Sequence, residues 1–418
     1  MKKLTVCIPT HKRPLLVTAL LESIFAQLRN YDLIDKVAVR VSDNDLDFKT
    51  RDGVLPLMER SSDIDVKYNK NEKNTETYNF IHVTDMAESE YVWIVGDDDT
   101  LVDGAIARIY SELEHGTDIL ICNVYHCDRE MKRNLGVVYT LNREIESRDF
   151  DFSRREDALE YLCNAASKNA IFTFLSNVVF RKSTWASDRK REQFVKLWKS
   201  QAEQSYMHLE TLMNGASLRY IKDVLVNYRS DNDYNESYSK GLFFRHHLSL
   251  QLEGIRNAII AANPDEELKR VLVKILVKDI SIFSFCGHNT TDLENRLIEE
   301  FYTTEEIELY RVLDIKIDDL TRLYNEGCKI VLFGASFLGE RVLNKLKKLK
   351  ISPGYFADNN ASRWHETHCG LSIISPDEIV EMQKKDAVLT LISSIYVKEI
   401  YSQLKELGVQ KIKMMDYR

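Results

Sequence analysis

The chain has 418 residues, enough for two or three domains, and its 44% hydrophobic and 29% charged residues exclude a collagen-like, coiled-coil or wholly disordered protein. Lys and Arg number 57 against 65 Asp and Glu, a formal charge of −8, so the overall basic footprint of a nucleic-acid binder is missing. The 7 cysteines are scattered without a C-x-x-C pair, which fits a reducing compartment better than a disulfide framework.

In chain order, Leu4-Thr5-Val6-Cys7-Ile8 reads as a buried strand ended by Pro9, too short for the hydrophobic core of a signal peptide. Leu16, Leu20, Ile24 and Leu28 then mark the apolar stripe of a helix. Strands are expected at 36–41, 65–68, 91–95 and 118–122, with helical spacing at 76–87 and 104–114. Such alternation predicts a mostly parallel α/β sheet covered on both faces, with ligands beyond the carboxyl ends of the strands. Those ends carry Pro9-Thr10-His11, Asp43-Asn44-Asp45 and Gly96-Asp97-Asp98-Asp99.

Further along, Phe172–Phe180 reads as a strand and Gln201–Met213 as a helix stopped by Asn214-Gly215. Ser217–Tyr228 reads as two short strands, and helical spacing dominates 241–322. Lys274, Lys278 and Asp279 interrupt the apolar stretch Val271–Phe285, so no bilayer span is expected there. The expected location is the cytoplasm, with attachment to the inner face of the membrane left open. From Lys329 to Arg418 the α/β alternation restarts. The expected division is 1–240, a helical connecting region at 241–325, and a small α/β domain at 326–418.

Three adjacent carboxylates repel one another, so Asp97-Asp98-Asp99 calls for a compensating cation or ready access to water. Hard oxygen donors suit Mg²⁺ or Mn²⁺ shared with a substrate diphosphate. The plainer alternative is a solvated acidic turn whose Asp99 or Asp103 caps the next helix.

The run Val6-Cys7-Ile8-Pro9-Thr10-His11-Lys12-Arg13 resembles the opening of family 2 glycosyltransferases of the GT-A fold. Val41-Ser42-Asp43-Asn44 resembles their second strand end, and Asn69–Asn79 their Asn-rich segment. Glu90–Asp99 is similar to their DXD motif. The resemblance covers about residues 4–125 and implies inverting transfer of a sugar from a nucleotide-sugar to a glycan or lipid-linked acceptor in bacterial surface polysaccharide synthesis. It implies Asp99 as ligand of Mn²⁺ or Mg²⁺. Pro9, Thr10, His11, Arg13, Asp43, Asn44, Asn79, Asp97, Asp98 and Arg229 would then bind the donor.

Family members carry Glu-Asp at the start of a helix that ends in Gly; here the pair aligns as Glu203-Gln204. Because Gln204 cannot accept a proton, Glu203 is the first candidate base, with His208 second and Asp188 and Asp157 weaker. The loop after Arg229 would act as a lid, with Asp231-Asn232 where a His is expected. A sugar-nucleotidyltransferase would want a Gly-rich loop after the first strand, which Pro9–Arg13 lacks. A catalytically inactive nucleotide-binding scaffold is the other alternative. Self-association is left open.

In the last domain Gly334, Ser336 and Gly339 precede Asp358 in a βαβ pattern of dinucleotide-site type, similar to Rossmann-like domains fused to bacterial sugar-modifying enzymes. Cofactor binding and a purely structural role both remain open for it. His365, His368 and Cys369 lie in a short polar loop with no partner cluster in sequence, so they are not read as a metal site.

Overall fold

The computed structural model describes residues 2–72, 76–197, 203–229, 242–277, 304–335, 337–394 and 397–415. They fall into two units, Met1–Leu276 and Val277–Arg418, divided within the helix Glu266–Val277. Among the described residues no helix is long and apolar enough to cross a membrane.

The first unit is built on one ten-stranded sheet. Its strands are β1 (Leu4–Thr10), β2 (Val37–Asp43), β3 (Val66–Lys70), β4 (Tyr91–Ile94), β5 (Thr100–Leu101), β6 (Ile119–Cys127), β7 (Asn134–Val138), β8 (Arg148–Asp151), β9 (Val178–Arg181) and β10 (Ser217–Arg229). The order is β3-β2-β1-β4-β9-β6-β10-β5, with β7 on β6 and β8 on β10. The first four strands run parallel; β9 then runs antiparallel to both β4 and β6, and β10 returns parallel to β6. The sheet is therefore parallel in the half that carries the first three polar strand ends and mixed beyond it.

Helix α1 (Pro14–Asn30) starts with Pro at its first turn, where the missing N–H costs nothing, and buries Val17, Leu20, Leu21, Ile24, Phe25 and Leu28. Helix α2 (Lys49–Arg60) has no counterpart in the sequence reading, because Gly53 and Pro56 interrupt it and only Thr50, Val54 and Leu57 are buried. Helices α3 (Glu76–Asp85), α4 (Ala105–Glu112), α5 (Arg155–Cys163), α6 (Asp188–Leu197) and α7 (Glu203–Met213) follow in this unit, and the helix Leu242–Ala261 packs on α7.

Three local expectations are corrected. The strand read at Phe172–Phe180 shrinks to Val178–Arg181, because Phe172 adopts φ 61° at the end of a 3₁₀ turn, Lys168–Ile171. The two short strands read at 217–228 are one, Ser217–Arg229, bent by register shifts around Val224. The acidic turn caps no helix: Gly104, with φ 76°, takes the N-cap of α4, and the Asp103 carboxylate accepts from the Tyr31 hydroxyl at 3.0 Å.

The second unit carries β11 (Lys329–Phe333), β12 (Tyr355–Ala357), β13 (Thr367–His368), β14 (Leu371–Ile374), β15 (Val388–Ile392) and β16 (Ile412–Met414) in the order β13-β14-β12-β11-β15-β16. All pairings are parallel except the β13–β14 hairpin. Counted from β11, the parallel strands stand in the order 3-2-1-4-5, that of a doubly wound α/β sheet.

Gly339, in the helix Phe337–Lys348, marks its tightest approach: a Cβ there would overlap the Gly334 carbonyl and lie 2.8 Å from Phe356 Cε1. Gly339→Ala is expected to destabilise this unit by about 1–3 kcal/mol through overpacking. Chemical denaturation followed by hydrogen exchange in β11 checks it, and an unshifted midpoint would contradict it.

Candidate active site

Parallel pairing sets Thr10 opposite Asp43, and β4 alongside β1 delivers Gly96-Asp97-Asp98-Asp99 to the same rim. The three polar strand ends that the sequence marks are thus brought together. Asp97 and Asp99 are 5% and 4% exposed, so the turn is not a solvated one.

Each carboxylate is held by named partners. Thr10 Oγ1 donates to Asp97 Oδ2 at 2.7 Å, and Arg13 reaches Asp97 Oδ1 at 2.8 Å and Asp98 Oδ2 at 3.1 Å. The Ser176 hydroxyl donates to Asp99 Oδ2 at 2.6 Å and accepts from the Gly96 N–H at 2.9 Å. The Arg229 N–H donates to Asp99 Oδ1 at 3.3 Å. Burial pushes the Asp97 carboxyl above its ordinary range against the pull of Arg13. Burial, then the charge of Asp98, push Asp99 well above it. Arg13 is one compensating cation, yet Asp99 remains costly to ionise. Buried hard oxygen donors with that deficit fit a divalent cation.

The second strand end is organised for a polar ligand. Asp43 accepts from the Tyr68 hydroxyl at 2.5 Å and from the Asp45 N–H at 2.7 Å, and burial raises its carboxyl. Asn71 Nδ2 donates to Ser42, to Asn44 Oδ1 at 2.7 Å and to Asn79 Oδ1 at 3.1 Å, while Asn79 Nδ2 donates to the Thr10 carbonyl at 3.3 Å. Pro9 stays in the β1 ladder opposite Ser42. His11 comes directly after this strand, its Nδ1 buried and without a hydrogen-bond partner.

Two candidate residues at the far side separate clearly. Glu203 opens α7 and is 3% exposed. Its helix start is tied to the loop that ends in Ser176, because Ser205 Oγ donates to the Phe172 carbonyl at 3.0 Å and Gln204 Nε2 to that of Thr173 at 3.5 Å. His208, by contrast, packs against Phe172, Phe180 and Trp185 at centroid distances of 5.0, 5.1 and 5.3 Å. Burial, with the nearby Lys190 charge, lowers it to about 3. It is 1% exposed, enclosed by these rings in the aromatic core. Asp188 is exposed at the start of α6, and Asp157 accepts from the Asp151 N–H at 3.0 Å.

Arg229 Nε donates to the Asp98 carbonyl at 2.8 Å, and the guanidinium also meets the Arg129 carbonyl. The lid expected at 230–235 lies outside the described residues. Sequence reasoning missed Ser176 and Tyr68 as partners of the acidic groups. The only signal for Ser176 was the polar Ser176-Asn177 pair inside an otherwise apolar run.

In the second unit, Gly334 has φ 115° and sits beneath the Ser393 carbonyl. Asp358 accepts from the Ala335 N–H of the turn after β11 at 3.0 Å and from the Asn360 N–H of its own loop at 2.9 Å. Ser336 lies outside the described residues.

Residues 5–172 match the family model Glycosyl transferase family 2. This part of the chain is a family 2 glycosyltransferase domain. The glycosyltransferase is 26% identical over 309 residues to the abequosyltransferase RfbV of Salmonella typhimurium, covering 71% of this chain and 87% of the relative. It shares its fold with residues 1–349 of S. aureus TarS, solved with UDP-GlcNAc, at a TM-score of 0.51 and 16% identity, over 78% of this chain and 93% of that one. Residues 326–415 match a second family model, C2185-like, N-terminal.

Linkage gives the acidic rim a testable sign. Asp99 holds its proton more tightly folded than unfolded, so this residue's contribution to stability falls as pH rises past its unfolded value towards its folded one. Asp99→Asn is expected to raise the melting temperature of the metal-free protein at pH 8, by about 2–4 °C for about 1 kcal/mol of relief, and by less at pH 5. Calorimetry showing a loss at pH 8 would contradict the assignment.

Proposed function

We propose that this glycosyltransferase moves a sugar, with inversion, from a nucleoside-diphosphate sugar to a hydroxyl of a glycan or lipid-linked acceptor in bacterial surface polysaccharide synthesis. The observation that carries this reading is the buried Asp97–Asp99 cluster at the rim shared with Thr10 and Asp43. The abequosyltransferase relative supports a sugar as the transferred group.

Asp43, held by Tyr68, and the Asn44–Asn71–Asn79 network orient the nucleoside. Asp99, with Asp97 beside it, would hold Mn²⁺ or Mg²⁺, which would supply positive charge to a departing diphosphate. Arg13 and Thr10 fix Asp97 so that the cluster keeps its shape, and Arg229 adds positive charge at the same edge. The acceptor oxygen attacks the anomeric carbon opposite the diphosphate; the new C–O bond forms as the sugar–phosphate C–O bond breaks. Glu203 takes the acceptor's proton, because α7 starts against the loop that holds Asp99 and His208 lies in the core. Phe174, Tyr228 and His126 form an aromatic cluster next to Arg229, with centroid distances of 5.3 and 5.6 Å, that offers ring faces to an acceptor sugar.

A panel of nucleotide-sugars with Mn²⁺ is expected to yield nucleoside diphosphate release with at least one donor. Asp99→Ala abolishes it, whereas Asp358→Ala leaves transfer largely intact. Normal transfer by Asp99→Ala would sink the site. Glu203→Gln is expected to lower kcat by about 10²–10⁴ with donor affinity retained. An unchanged kcat would return the base to another residue.

A further inference from the structure

We propose that Glu340, His368 and Cys369 of the second unit form a binding site for one Zn²⁺. In sequence His368 and Cys369 lack a companion. The fold supplies one from another element, the Glu340 carboxylate of the helix Phe337–Lys348. The three ligand atoms lie within 4.8 Å of one another.

Three features suit an ion at their centre. First, His368 Nε2 stands 3.6 Å from Glu340 Oε1. Ligand atoms placed tetrahedrally at about 2.0–2.3 Å from zinc are about 3.3–3.6 Å apart. Second, Nε2 is screened from solvent and has no hydrogen-bond partner, while Phe356 holds the imidazole edge-to-face at 5.0 Å. A buried ring nitrogen left unsatisfied is rare unless something binds it. Third, the β13–β14 hairpin pairs His368 with Leu371 across a two-residue turn, with φ 50° at Cys369 and 86° at Gly370. That turn brings the thiol to the same point yet leaves Cys369 exposed, so an ion can enter.

The donor set selects the metal. One sulfur and one imidazole nitrogen disfavour Mg²⁺, Ca²⁺ and Mn²⁺, and with one carboxylate oxygen all three donors are types that zinc takes, leaving water as fourth ligand. On binding, the Cys369 thiol gives its proton to solvent and the thiolate takes its place on the ion. The ion would pin the hairpin to the helix, where Glu340 already lies beside His368 and hydrogen-bonds with Cys369.

Co²⁺ added to the metal-free full-length chain tests this. One equivalent is expected to give a thiolate-to-cobalt charge-transfer band and tetrahedral visible absorption, both bleached by Zn²⁺. Cys369→Ser should lose the charge-transfer band, and His368→Gln should lose the tetrahedral absorption, with circular dichroism unchanged. Cys163→Ser, at the other exposed described cysteine, and Asp99→Asn should keep both signals. No band in the wild-type chain, a band surviving Cys369→Ser, or its loss in Cys163→Ser or Asp99→Asn would overturn the proposal.

Discussion

The burial of charge at the end of β4 constrains the rest of the first unit. Asp97 and Asp99 cannot sit almost fully out of water unless each oxygen has a donor, and the fold delivers those donors from distant parts of the chain. Thr10 and Arg13 come from the end of β1, Ser176 from the loop before β9, and the Arg229 N–H from the end of β10. Even so, Asp99 stays costly to ionise, a cost that a bound cation would offset. The parallel pairing of β1 with β2 and β4 serves this arrangement by ending the strands at one rim.

Much of that rim was legible in the sequence because parallel strands are buried on both faces. Their apolar runs at 4–8, 36–41 and 91–95 stand out, and the polar residues just past each run must lie at the sheet's edge. Asp43, Asp97 and Asp99 were found in this way. Ser176 and Tyr68 were not, since their value lies in contacts across 77 and 25 residues that no local pattern encodes. Helix α2 was missed for a different reason: Gly53 and Pro56 erase its periodicity, and packing against α1 decides its structure. The loop at 172–177 read as a strand because Phe172 is buried without being extended.

His208 and Glu203 show what sequence leaves open within one helix. Both are buried in α7, and the sequence reading names Glu203 first and His208 second as base without distinguishing their surroundings. Those surroundings differ: three aromatic rings pack around His208, whereas Glu203 sits where the helix meets the loop that supports Asp99. The second unit repeats the lesson with glycines. Gly334 and Gly339 are required by close backbone approach, as the βαβ pattern suggested, yet Asp358 spends its oxygens on backbone N–H groups, of Ala335 in the glycine turn and of Asn360 in its own loop.

The central claim is that the acidic rim holds a divalent ion in common with a nucleoside diphosphate. Calorimetric titration of the protein with uridine, guanosine, cytidine and thymidine diphosphates, with and without Mn²⁺, tests it most directly. At least one diphosphate should bind about tenfold or more tightly when Mn²⁺ is present, with the gain lost in Asp99→Asn. Affinities indifferent to Mn²⁺ for all four, or a gain that survives Asp99→Asn, would contradict it.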